Sequence, residues 1–167
     1  KWQRTQFQAE WLAKPTPLLQ ARTVVYHNYL DRAWQKLNGI QSGVNLHNLL
    51  LADPTSGNNA IYMSIIKGEE DTSIEDQHLM IGTNDRNFHS FGVQHTLKWE
   101  KHSSQYSSRL EMGIRYHGDR VIRLHTQSPY QMISSELIPY GDELETLLHS
   151  DTHANALAAY VHEDLQF

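Results

Sequence analysis

The chain has 167 residues, 14 Lys and Arg against 19 Asp and Glu, a net charge of -5 and no cysteine. That balance, without a basic run, argues against nucleic acid as a partner. The lack of cysteine removes disulfide frameworks, thiolate nucleophiles and cysteine-ligated metals. Aromatic residues make up 10%, too many for a disordered chain, and no run of about 18 apolar residues marks a transmembrane helix. A membrane barrel stays open, because its strands are half polar.

In chain order, the first element is a strand whose residues Thr5, Phe7, Ala9 and Trp11 share one face and Arg4, Gln6, Gln8 and Glu10 the other. Such two-residue alternation reads as β-structure. The turn AKPTP leads into LLQARTVVYHNYL, where Leu19, Ala21, Thr23, Val25 and Tyr29 oppose Gln20, Arg22, Tyr26 and Asn28. A long connection, roughly residues 37–84, follows; within it VNLHNLLLADP is spaced for a short helix ending before Pro54. The third strand, FHSFGVQHTLKWE, puts Phe91, Val93, Leu97 and Trp99 on one side, with His95 breaking the rule. The short turn KHSSQ joins it to RLEMGIRYH, where Leu110, Met112, Ile114 and Tyr116 face away from Arg109, Glu111, Arg115 and His117. A second long connection, roughly 126–152, contains YGDELETLLHS, which reads as a helical turn. The last run, ANALAAYVHEDLQF, is extended, and its alanines leave its facing undefined.

The fold class is therefore all-β: an antiparallel meander of about five strands with two long loops, treated as one segment over residues 1–167. Short turns at one end, long loops at the other and one apolar face per strand are the pattern of a transmembrane β-barrel, with the apolar face against lipid. Trp11 and Trp99 near the short turns, and Tyr29 and Tyr116 toward the loop ends, fit aromatic girdles. The alternative is a soluble all-β module that binds carbohydrate or protein through its loops, its apolar faces forming an ordinary core. The sequence opens without Met in an alternating pattern and stops within another, so the expectation is part of a longer chain. About five strands cannot close a barrel, since the smallest have about eight.

The order of YLDRAWQKLNG, LMIGTNDRNFHSFGVQ and RLEMGIRYHGDRVIRLHTQSPYQM resembles the barrel of TonB-dependent outer-membrane receptors, particularly the siderophore and ferric-citrate-like branch. The resemblance covers roughly residues 20–165. It implies a bacterial outer-membrane barrel of about 22 strands, contact with outer-membrane lipid and import of a scarce extracellular ligand, most often a ferric siderophore. It also implies energy supplied by TonB through an N-terminal plug that lies outside these residues. It implies transport, with no catalysis and no resident cofactor.

Four residues are candidates for ligand contact. Arg86, Arg120 and Arg123 carry planar guanidinium groups that pair with carboxylates, and Tyr130 offers a ring to stack on a ligand. The arginines can equally brace the sheet by pairing with Asp85, Asp119 or Glu111. Tyr62 and Tyr140 in the long loops offer ligand stacking or loop packing. Among the 11 histidines, His149 and His153 are spaced for one face of a helix, but without HExxH the expectation is no metal site. The acidic stretch GEEDTSIED lacks the EF-hand order, and neither a GxSxG elbow nor a glycine-rich phosphate loop is present.

Overall fold

The computed structural model describes residues 1–167, the side chain of Leu50 excepted. Six strands form one antiparallel sheet that is not closed: β1 (Trp2–Thr16), β2 (Leu19–Ile40), β3 (Leu79–His102), β4 (Ser107–Ile133), β5 (Glu136–Pro139) and β6 (Glu145–Gln166). Neighbours run β1-β2-β3-β4-β5, and β6 also pairs with β4. The chain divides into two compact units. One comprises Lys1, Ala33–Arg86 and Arg123–Ser150, the other Trp2–Arg32, Asn87–Ile122 and Asp151–Phe167. Among the described residues no helix is long and apolar enough to cross a membrane.

In the second unit the two faces of the sheet are chemically distinct. The β1/β2 register sets Phe7 opposite His27, Ala9 opposite Val25 and Trp11 opposite Thr23. Phe91 of β3 lies where a Cβ on Gly118 of β4 would fall, which puts Phe91 on one face with Gly118 and, by alternation, with Tyr116, Ile114 and Met112. Three side-chain pairs then fix the register of β6 on β4: Ser108 with Glu163, Tyr116 with Asn155, and Arg120 with Asp151. They place Leu157, Ala159 and Val161 beside Ile114, Met112 and Leu110, which settles the facing that the alanines concealed.

The apolar face does not converge on a core. Phe7 and Trp11 are 60% exposed, Ile114 50%, Leu157 72% and Val161 70%. The opposite face is cross-linked by polar side chains. Arg22 donates to both carboxylate oxygens of Glu10 at 2.9 Å, Gln6 donates to Asn28 at 3.0 Å, and Glu111 receives Lys98 at 3.0 Å and the Tyr160 hydroxyl at 2.6 Å. His95, the exception to the alternation, lies on the apolar face and bonds Thr23 there at 2.8 Å.

The first unit has a conventional core of Ile40, Leu49, Tyr62, Ile65, Leu79 and Met132. The helix expected before Pro54 is present as α1 (Leu46–Leu51), begun by the Asn45 side chain accepting the His47 N–H at 2.8 Å. A second helix, α2 (Gly57–Lys67), has no counterpart in the sequence reading. Its isoleucines weaken the local helical signal, and burial of Tyr62 and Ile65 supplies the stabilisation instead. Gly68 ends it at φ 73°, its N–H returning to Ser64 and Ile65.

The second long loop is largely strand. β4 continues to Ile133, reverses through Ser134 and Ser135 at φ 51° and 65°, and pairs with β5. Two successive positive φ values match the twist of a tight hairpin. The helical turn expected in YGDELETLLHS is not formed: Gly141 turns at φ 67°, and the chain from Glu145 onward is β6. Strand pairing there overrides the helix preference of Leu and Glu.

Candidate ligand-binding site

In the first unit, a Cβ on Gly82 of β3 would meet the Asn38 side chain of β2, and Asn38 Nδ2 donates to Gln127 Oε1 of β4 at 2.8 Å. These contacts put Asn38, Gly82 and Gln127 on one face. Strand alternation carries that face to Trp34 and Lys36 on β2, Asn84 and Arg86 on β3, and Arg123 and His125 on β4. Three permanent or near-permanent cations and an imidazole therefore converge from three adjacent strands.

The electrostatics agree. Burial pushes the His125 imidazole below its ordinary value, and the positive charges of Arg86, Arg123 and Lys36 push it further the same way. Arg86 packs its guanidinium on the Trp34 ring, 4.8 Å from the centroid. The Nε of Arg86 and the Nε2 of His125 are buried and take no hydrogen bond among the described residues. A cluster of cationic donors beside an imidazole, with one unused buried nitrogen on Arg86 and one on His125, is suited to an anion that brings its own acceptors.

Of the four candidate residues, Arg86 and Arg123 are in this cluster. Arg120 is in the other unit, its Nε and Nη2 bound to the two carboxylate oxygens of Asp151 at 2.9 and 2.5 Å. That partner lies 31 residues away and is none of the three anticipated carboxylates. Tyr130 packs against the buried cluster and pairs with Pro139 across the β4/β5 hairpin, a placement that uses its ring in packing. Tyr62 is buried in the same core, and the Tyr140 ring lies 4.0 Å from His78.

Lys36 and His125 were missing from the sequence reading. Lys36 sits in AWQKLNG, where neither face is apolar enough to announce itself, and His125 becomes visible only when its alternation with Arg123 is followed past Gly118. His149 and His153 lie on β6 and not on a helix; four strand residues span about 13 Å, too far for one ion. Among the described residues no group of three or more His, Asp or Glu gathers to hold a metal. No protein-family model matches the chain, and no curated protein matches it.

Proposed function

We propose that the chain contributes neighbouring strands to the barrel of an outer-membrane receptor of the TonB-dependent kind, which captures a scarce anionic metal chelate and moves it across the bilayer. A ferric siderophore with carboxylate groups fits best. The reading is carried by the two-faced sheet of the second unit. Its apolar side chains are exposed, while the polar side chains behind them bond one another.

In water, a continuous exposed face of Phe7, Trp11, Met112, Ile114, Leu157 and Val161 would invite association. Against hydrocarbon it is at its most stable, and the paired polar groups then face a wet lumen. The unpaired edges of the sheet are accounted for by further strands closing the barrel. Lys36, Arg86 and Arg123 supply charge for the carboxylates of the ligand, and passage is energised through TonB. A soluble binding module would need those same apolar side chains to meet in a core, and their exposure speaks against it.

The test is fractionation of cells expressing the parent protein at full length. The expected result is recovery in outer membranes with heat-modifiable migration in detergent gels, and ferric citrate-type chelates should bind the purified protein more weakly after Arg86→Ala and Arg123→Ala together. Recovery of the full-length protein in the soluble fraction would sink the reading.

A further inference from the structure

His27 of β2 and His89 of β3 bring Nε2 and Nδ1 within 3.4 Å of each other, with ring centroids 5.6 Å apart. For a hydrogen bond between imidazoles this is long. For two ligands of one ion it is the natural spacing, because a tetrahedral centre with metal–nitrogen bonds of about 2.0–2.1 Å sets its nitrogens about 3.3–3.4 Å apart. We propose that His27 and His89 form a two-imidazole site for a divalent ion of the Zn2+, Cu2+ or Ni2+ class, its remaining positions taken by water.

The surroundings favour it. The Tyr29 ring packs 4.9 Å from the His89 ring and its hydroxyl donates to Asn87 at 2.9 Å, which restrains the His89 side of the pair. His27 is exposed and His89 is half-buried. They lie on the face that carries Phe7, which pairs with His27 and is the last apolar residue of β1 on that face before Thr5 and Gln3. Phe91 faces Gly118, so antiparallel pairing puts Arg120, bound to Asp151, beside His89. A row holding an ion pair belongs at a water-accessible level, where an ion can enter and keep its waters. The Arg120 charge is offset by Asp151, so one cation does not exclude another.

The imidazole geometry stands apart from the transport reading, and only the level of the row relative to a membrane rests on it. Purified full-length protein in detergent is titrated with Cu2+ at neutral pH, alongside His27→Asn and His89→Asn. The other histidines contribute equally to all three proteins. The expected result is one Cu2+ with a two-nitrogen electron paramagnetic resonance signature, lost in both variants with affinity at that site down on the order of 100-fold, the loss of chelation. A second measurement needs no variant: in the wild-type protein, Zn2+ should protect His27 and His89 together from diethylpyrocarbonate. Equal titrations of all three proteins, or modification of both histidines unchanged by Zn2+, would overturn the site.

Discussion

Tyr26 on β2 and His117 on β4 are joined across the intervening strand, phenol oxygen to Nδ1 at 2.6 Å, over the backbone of Gly92 on β3. Arg115 donates to the same phenol oxygen at 3.0 Å, and the Nε2 of His117 lies 3.0 Å from Asp119. Those partners select the tautomer with the proton on Nε2, so Tyr26 accepts from Arg115 and donates to Nδ1, and His117 donates onward from Nε2 to Asp119.

Gly92→Ala should break that bridge. Its Cβ would stand 2.4 Å from the Tyr26 hydroxyl and 2.6 Å from the Tyr116 carbonyl oxygen, and the second contact is backbone that cannot swing away. A loss of about 1–3 kcal/mol is expected from the overpacking. Tyr26→Phe should lose about 1–2 kcal/mol through the missing hydrogen bonds. Denaturant unfolding should show the double variant less destabilised than the sum, since both remove one bridge; strict additivity would mean the two residues act separately.

Ile65→Ala should cost about 2–5 kcal/mol by leaving a cavity where the side chain is now fully enclosed. Amide exchange is the measurement of choice, because protection should fall first in α2. If exchange instead rose equally in β1, the first unit would not be an independently opening structure.

Met112→Lys distinguishes lipid from water as the neighbour of the exposed face. A lysine facing the bilayer midplane costs about 2–4 kcal/mol, whereas the same substitution on a solvated strand falls within about 0.5 kcal/mol of neutral. Refolding into vesicles gives the number, and a near-zero change would remove lipid from the account.

His125 predicts the direction of a pH effect. Burial first, then Arg86, Arg123 and Lys36, hold its folded value below the ordinary one. Below about pH 6.5 the unfolded chain accordingly takes a proton that the folded chain refuses. Stability contributed at this position is full above that pH and is lost as pH falls toward the folded value. NMR titration of His125 should show the depressed value moving upward in Arg86→Gln, and upward again when an anion binds. An unchanged titration in Arg86→Gln would separate that arginine from the site.

The strands were legible where one face was apolar. Leu110, Met112, Ile114 and Tyr116 announce β4 without help, because a period of two is a local property. The facing of β6 was not legible, since Ala156, Ala158 and Ala159 are small enough for either side; it took Ser108, Tyr116 and Arg120 on β4 to define it. Helix α2 stayed hidden because what holds it is burial of Tyr62 and Ile65 against residues far along the chain. The same is true of the cation cluster: Arg86 and Arg123 drew notice by type, but their meeting with Lys36 and His125 depends on three-strand pairing that no short window contains. Arg120 drew equal notice and is held by Asp151, a pairing set by the β4/β6 register.

Strand β6 pairs with β4 along one edge and carries unmatched backbone donors and acceptors along the other. In hydrocarbon each such group costs several kcal/mol, so on the barrel reading these strands cannot enter the membrane one after another. Insertion and closure must then be a single cooperative event, with β1 and β6 as the seams at which newly arriving strands are stitched in before the lipid seals around them.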